Sequence, residues 1–208
     1  MFSTIIKSVF VAIVAYLLGN ISPARIISKI YGVDITAEGS GNPGTTNVIR
    51  TLGLKAGLLT LLIDALKGYI AVKFGFALAW PVGEYEAFVF VIIGHCFPYF
   101  YKFKGGKGVA AALGAAIALN WPSAMLAIFF GVIVLLIDKR MSVASLSAAI
   151  LYPILMFFIA REITIFALLV AAFIVYTHIP NIKRIRAGEE PKLEIGKKIK
   201  EFKEKNSK

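Results

Sequence analysis

The polar residues most able to do chemistry are concentrated in a glycine loop, residues 38–50, between two strongly apolar segments. Its glycines and an Asn-Pro step keep the chain out of regular structure, so backbone N–H groups are expected to be free to converge on an anion. Helix-starting residue types then follow, and Arg50 adds a fixed cation one turn later. The loop is therefore predicted to bind a phosphate or carboxylate. Its candidate ligands are Ser40, Gly41, Asn42, Gly44, Thr45, Thr46 and Asn47.

Residues 39–44 also match the dinucleotide-binding fingerprint G-x-G-x-x-G. That fingerprint has meaning only directly after a strand and within a βαβ unit. Because a membrane-type apolar run precedes these residues, the dinucleotide interpretation is rejected. An ordinary surface loop stays open as an alternative, since Gly and Asn are common in loops that bind nothing.

A second unusual stretch is the lysine–glycine loop, residues 104–108, which carries Lys104, Gly105, Gly106 and Lys107. Here two ammonium groups, backbone amides that are expected to be free and the start of a predicted helix coincide. The spacing of a Walker A motif, G-x-x-x-x-G-K-[ST], is absent. The loop is nevertheless predicted to be a second phosphate site.

Two further polar groups are expected on the same side of the molecule. They are the turn at 138–145, which ends at Ser145, and His178 with Asn181 where the last apolar segment ends. His178 could be a general base, a phosphate ligand or an ordinary interfacial histidine. Each group alone is weak evidence. Four loops that offer anion-binding groups beside apolar segments together indicate a phosphorylated, partly lipidic substrate.

The elements that must position these loops are membrane helices. Of the 208 residues, 58% are hydrophobic, which is well above the composition of a soluble domain. Apolar runs compared with a span of about 20 residues predict an all-α, polytopic integral membrane protein with seven helices. The predicted helices cover residues 4–30, 47–77, 83–101, 108–119, 122–138, 142–160 and 162–180.

The basic residues predict the orientation of this bundle. With seven spans, nineteen of the 23 Lys and Arg residues lie on one face, which is then cytoplasmic by the positive-inside rule. The N-terminus is predicted outside, and the chain divides into a catalytic bundle at 1–182 and a basic cytoplasmic tail at 183–208. The same topology explains the net charge of +11 without nucleic acid, because the tail would face anionic headgroups.

One ionisable pair lies inside a predicted span. Asp64 and Lys67 are three residues apart, close enough to neutralise each other on one face of a helix. A buried pair that ties helices together and a catalytic pair are both open interpretations.

Several separated motifs resemble the bacterial acyl-phosphate-dependent glycerol-3-phosphate acyltransferases, the PlsY family. The matching runs are GNISP at 19–23, GSGNPGTTNVIRTLG at 39–53, DALKG at 64–68, GHCFP at 94–98, FKGGKGVA at 103–110 and HIPNI at 178–182, with Arg184, Gly188 and Glu190. They occur in order over nearly the whole chain. Small departures from the family pattern are Thr45, Ala111 and Glu189.

The resemblance implies a seven-helix enzyme of the bacterial inner membrane whose active site faces the cytoplasm. It would move a fatty acyl group from acyl phosphate to the 1-hydroxyl of glycerol 3-phosphate, giving lysophosphatidic acid and phosphate. No metal or cofactor is implied. The implied partners are the two substrates, membrane lipid and the soluble enzyme that makes acyl phosphate.

The resemblance also implies roles for individual residues. The glycine loop would hold a substrate phosphate with Arg50 beside it, and Lys107, Ser145, His178 and Asn181 would hold glycerol 3-phosphate, with Lys104 as a further candidate. The hydroxyl proton could go to His178, to Asp64 or to a substrate phosphate. A transporter or channel for an organic phosphate remains the alternative function, although sparse ionisable residues in the outer half argue against it.

Overall fold

A computed structural model describes residues 2–193, and helices are the only regular secondary structure in that part of the chain. The all-α prediction is therefore confirmed for the described residues, while residues 194–208 of the predicted tail lie outside them. The helices are α1 (Phe2–Asn20), α2 (Pro23–Ile30), α3 (Thr45–Leu52), α4 (Leu54–Ala79), α5 (Gly83–Cys96), α6 (Val109–Leu119), α7 (Trp121–Asp138), α8 (Met141–Ile159), α9 (Arg161–Thr177) and α10 (Ile179–Arg186), with a 3-10 turn at Tyr99–Tyr101.

All seven predicted segments contain helix, but four of them are divided, so the prediction of single helices was wrong there. Proline explains two of the breaks, because Pro23 begins α2 and Pro98 follows the end of α5. Gly53, at φ +91°, separates α3 from α4 in a conformation that favours glycine. His178 separates α9 from α10, whose axes differ by 57°. Three of these breaks lie next to the predicted polar loops, and the fourth is the junction between α1 and α2.

Three described stretches are long and apolar enough to cross a membrane, namely Thr4–Ile30, Trp121–Asp138 and Met141–Ile159. The bent pair of α9 and α10 would make a fourth. α4 is long enough, but it carries Lys55, Asp64, Lys67 and Lys73. α5 and α6 are shorter than a full span, with 14 and 11 residues.

Small residues let the backbones of neighbouring helices approach closely. A Cβ atom added to Gly114 of α6 would lie 1.8 Å from the carbonyl oxygen of Ala65 in α4, and one added to Gly68 would lie 2.1 Å from that of Ala111. Gly19 of α1 and Gly94 of α5 make the same kind of contact. The small residues of α6 thus allow it to pack closely against α4.

A buried charge cluster lies between α1, α4 and α5. Asp64 and Lys67 form an ion pair at 2.6 Å, which confirms their predicted pairing, and His95 of α5 joins them at 2.9 Å from Lys67 Nζ and 3.2 Å from Asp64 Oδ1. The Lys67 ammonium also donates to the carbonyl oxygens of Gly19 and Ile21 at 3.1 and 2.6 Å. These carbonyls lie where α1 ends, so the cluster satisfies backbone groups that the break between α1 and α2 exposes.

Candidate active site

Three of the four predicted polar groups meet around one cavity of about 670 Å³, the cationic cavity, whereas the turn at 138–145 contributes none of its described lining residues. Five of the described residues that line it are cations and none is a carboxylate. The cations are Arg25, Lys102, Lys104, Lys107 and Arg184. The other polar residues of the described wall include Ser40, Gly41 and Asn42 of the glycine loop and Asn181 of α10. Such a concentration of positive charge suits a phosphorylated ligand.

Asn47 organises the glycine loop from behind. Its side chain is buried, its Oδ1 accepts the N–H of Ser40 at 2.9 Å, and its Nδ2 donates to the carbonyl oxygens of Ile35 and Glu38. Gly39, at φ +58°, passes so close that an added Cβ would lie 2.3 Å from Asn47 Oδ1. The Asn47 amide is therefore occupied in holding the loop, and its contact with substrate stays a prediction.

The backbone amides of the two loops are less available than the sequence suggested. Within the glycine loop, Ser40, Gly41 and Gly44 donate their N–H groups to Asn47 Oδ1 and to the carbonyl oxygens of Glu38 and Asn42. In the lysine–glycine loop, the amides of Gly105 and Gly106 donate to the carbonyl oxygens of Cys96 and His95. The expectation that these amides are free was wrong, since they instead fix the shape of the loops.

A helix does begin after the glycine loop, as predicted. α3 starts at Thr45 with Gly44 as its N-cap residue, without a capping bond from a side chain. Gly44, Thr45 and Thr46 are not among the described residues that line the cationic cavity. Their predicted contacts with substrate therefore have no geometric support from the cavity wall.

The lysine–glycine loop is seated on the buried charge cluster. The Gly106 backbone lies against the His95 ring, where an added Cβ would be 2.3 Å from Nε2. This seat directs Lys107 to Asn181, whose Oδ1 accepts from the Lys107 ammonium at 2.5 Å. Burial lowers the pKa of Lys107 to about 8, with Arg184 and Arg50 acting in the same direction and Glu190 acting against them.

Glu190, which was noted only within the family motif, joins the elements of the site. Its carboxylate accepts from Ser142 Oγ and Asn181 Nδ2 at 2.7 Å each, and from Arg184 Nε at 2.8 Å. Burial alone would raise the pKa of Glu190, but these hydrogen bonds outweigh it and hold the pKa below its usual value. The carboxylate thereby orients Asn181 and Arg184 on the cavity wall.

His178 is buried at the junction of α9 and α10, where Nδ1 contacts the Ile174 carbonyl oxygen at 2.7 Å. A carbonyl oxygen only accepts, so Nδ1 carries the proton of this bond. Nε2 is then the acceptor nitrogen of the neutral ring. His178 is not among the described residues of the cavity wall.

Two other predicted residues lie apart from the cationic cavity. Arg50 of α3 donates to the Pro191 carbonyl oxygen at 3.4 Å, which holds the chain after α10 against α3. Ser145 lies on the wall of a separate apolar cavity of about 80 Å³ between α6, α7, α8 and α9. Lys107 lines the cationic cavity and Val109, at the start of α6, lines the apolar one, so the two walls come within two residues of each other along the chain.

Sequence reasoning missed Arg25 as a site residue. It lies on α2, where Nη2 donates to the Lys104 carbonyl oxygen at 2.8 Å and the guanidinium lies 4.7 Å from the centre of the Tyr101 ring. The signal was available, since Arg25 follows the GNISP run by two residues, but nothing in the spacing indicated that α2 turns toward the lysine–glycine loop.

The sequence profile of the family described as Glycerol-3-phosphate acyltransferase matches residues 9–188. The glycerol-3-phosphate acyltransferase of Clostridioides difficile (strain 630) is 42% identical, with 91% of this chain and 97% of the relative covered. That of Alkaliphilus metalliredigens (strain QYMF) is 41% identical, with 92% and 97% covered.

Solved structures of PlsY (YgiH), an integral membrane glycerol 3-phosphate acyltransferase, are similar at 34% identity and cover 89% of this chain and 95% of theirs. The TM-score is 0.85 for its glycerol 3-phosphate form and 0.83 for its lysophosphatidic acid form. Profile, relatives and fold agree over nearly the whole length. The chain therefore belongs to the glycerol-3-phosphate acyltransferase family and is an integral membrane protein.

Proposed function

We propose that the chain transfers a fatty acyl group from acyl phosphate to the 1-hydroxyl of glycerol 3-phosphate, giving lysophosphatidic acid and phosphate. The observation that carries this proposal is the cationic cavity, where five cations and no carboxylate line the wall in the described part of the chain. A donor and an acceptor that are both phosphorylated repel each other, and such a cavity offsets that repulsion while it aligns them.

The arrangement of the two cavities supports a donor with a long chain. The phosphate end fits among the cations, and the apolar cavity begins within two residues of Lys107, at Val109. Apolar side chains make up nearly all of that second wall, which suits the first carbons of an acyl chain. A thioester carried by coenzyme A would bring a much bulkier polar group to the same place.

The chemical step needs little from the protein beyond this alignment, because acyl phosphate carries its own leaving group. The glycerol oxygen attacks the carbonyl carbon, the carbon–oxygen bond to phosphate breaks, and phosphate departs with the bonding electrons. The described cavity wall contains no histidine or carboxylate, so the acceptor proposed for the hydroxyl proton is an oxygen of a substrate phosphate. Lys107 and Arg184 stabilise the negative charge that develops on the departing phosphate.

The same proposal places the protein in the bacterial inner membrane with seven spans, its N-terminus outside and the cationic cavity facing the cytoplasm. The clustering of Lys and Arg around the cavity supports this orientation through the positive-inside rule. A soluble enzyme that makes acyl phosphate would then reach the cavity directly from the cytoplasm, and its contact with this protein stays a prediction.

Purified protein in detergent should form lysophosphatidic acid from acyl phosphate and glycerol 3-phosphate, and none from acyl-CoA. Lys107→Ala should abolish turnover, because it removes the ammonium that faces Asn181. The matched control is Lys183→Ala, an exposed lysine of α10 outside the described cavity wall, which should keep the wild-type rate. Equal rates with acyl phosphate and acyl-CoA, or no product from either donor, would overturn the proposal.

A further inference from the structure

Three largely exposed aromatic side chains lie at or beside the cationic cavity. Tyr99, Phe100 and Phe103, together called the aromatic rim, are 65%, 66% and 57% exposed. The ring of Tyr99 makes edge contacts with those of Phe100 and Phe103, at centroid distances of 5.8 and 6.0 Å. The three rings therefore form one continuous apolar patch rather than scattered exposed residues.

The backbone holds this patch in an unusual conformation. Lys102 and Phe103 have φ values of +53° and +60°, in the left-handed region that bulky side chains rarely adopt. The N–H groups of Tyr101 and Phe103 both donate to the Pro98 carbonyl oxygen, at 3.1 and 2.9 Å, which closes the turn. A conformation of this kind persists only where surrounding contacts enforce it, and it keeps the Phe103 ring on the outside.

The loop that carries the rim is also a wall of the cationic cavity. Phe100, Tyr101, Lys102 and Lys104 all line it. Arg25 fastens this wall to α2 through the Lys104 carbonyl oxygen and the face of Tyr101. One short, braced segment thus carries exposed aromatic rings next to the cations of the cavity wall, and Phe100 belongs to both the rim and the wall.

We infer that the aromatic rim is the docking surface for the acyl chain of the donor as it passes from the bilayer into the cationic cavity. The inference rests on the proposed function in one respect, since it takes the donor to be an acyl phosphate. The loop follows α5 directly, so the rings lie at the membrane interface, where aromatic side chains are favoured. An amphiphile whose tail crosses the rings has its phosphate directed to Lys102, Lys104 and Arg25, which matches its charge.

The test compares a long and a short donor on rim variants. Initial rates with palmitoyl phosphate and with water-soluble butyryl phosphate are measured in proteoliposomes for wild type, Tyr99→Ser and Phe103→Ser, because Tyr99 and Phe103 are rim residues outside the described cavity wall. The matched control is Phe158→Ser in α8, whose ring is 77% exposed and also packs edge-on against an aromatic neighbour. Phe103→Leu keeps an apolar side chain at the rim.

Each rim serine variant is expected to lower kcat/KM for palmitoyl phosphate about tenfold, which corresponds to about 1.4 kcal/mol of lost apolar contact. The value for butyryl phosphate and the KM for glycerol 3-phosphate should stay within about twofold, because neither molecule crosses the rings. Phe158→Ser should match wild type, and Phe103→Leu should recover most of the long-chain rate. If Tyr99→Ser does not fold, Phe103→Ser carries the same comparison.

Equal losses with both donors, an equal loss in Phe158→Ser, or an unchanged long-chain rate in both rim variants would overturn the inference. The first two results would make the rings a general interfacial anchor. Failure of the proposed function looks different, because wild-type protein would then give no product even from butyryl phosphate.

Discussion

The buried ammonium of Lys107 predicts an alkaline limit on activity. Its pKa of about 8 means that the side chain is about 90% charged at pH 7 and about 10% charged at pH 9. Because the charged form is the one that binds phosphate, the affinity for glycerol 3-phosphate should be greatest below pH 8 and should fall as the pH rises through it. The substrate limits the acidic side, since a phosphate monoester loses its second proton near a pKa of about 6.

The size of the effect follows from the contact that is lost. A hydrogen bond to a charged group contributes about 1.5–3 kcal/mol, so full neutralisation of Lys107 should lower kcat/KM for glycerol 3-phosphate by about 10- to 150-fold. Bound phosphate stabilises the ammonium, so the alkaline decline of kcat should lie at higher pH than that of kcat/KM.

The assay measures lysophosphatidic acid between pH 5.5 and pH 10, with a blank without enzyme at each pH to subtract hydrolysis of the donor. Lys107→Arg should run at a lower rate but without the alkaline decline, because a guanidinium stays charged throughout this range. Lys183→Arg, at an exposed position, should keep the wild-type profile. An alkaline decline that persists unchanged in Lys107→Arg would refute the assignment of the titrating group.

Three other substitutions test the parts that support the site. Asn47→Ala removes the acceptor of the Ser40 amide and the donor to two carbonyl groups, so unfolding stability in detergent should fall by about 1–3 kcal/mol and kcat/KM by more than tenfold; Asn47→Asp, which keeps the acceptor, should retain more activity. Lys67→Met leaves the Asp64 carboxylate buried without its ammonium partner and with only His95 beside it, which should cost about 3–5 kcal/mol, whereas the double variant Lys67→Met/Asp64→Leu should melt at a higher temperature than the single one. Glu190→Gln keeps the shape of the side chain but removes its charge, so KM for glycerol 3-phosphate should rise while the melting temperature falls only slightly. An unchanged KM would exclude the role of Glu190 in orienting Arg184.

The positions of the helices could be predicted from the sequence, because apolar runs indicate segments that are buried in lipid or protein. The breaks that divide those runs into separate helices could not be predicted. The break after α1 depends on Lys67, a residue of another helix, to satisfy the carbonyl oxygens of Gly19 and Ile21. No local pattern contains that information, although Pro23 was a visible sign that a helix begins there.

The polar loops could be identified from their residue types, but the hydrogen bonds that hold them in shape could not be predicted. Asn47 is a residue type that often binds ligands, but here its side chain holds the glycine loop in shape. The amides of Gly105 and Gly106 donate hydrogen bonds to carbonyl oxygens at the end of α5. Arg25 and Glu190 reach the site through tertiary contacts over long sequence separations. Sequence spacing predicts which residues are near one another within a turn, whereas these contacts depend on how whole helices pack.

The link from Lys67 to the end of α1 also constrains how the protein is assembled. α1 and α4 each carry polar groups that are costly in lipid on their own. The end of α1 leaves two carbonyl oxygens without a partner in the helix, and α4 carries a carboxylate and an ammonium group. Both costs fall when α1 and α4 pack together, and His95 of α5 then completes the cluster. All of its members lie between residues 19 and 95, so we expect the seat for the lysine–glycine loop to be complete in sequence before that loop is synthesised.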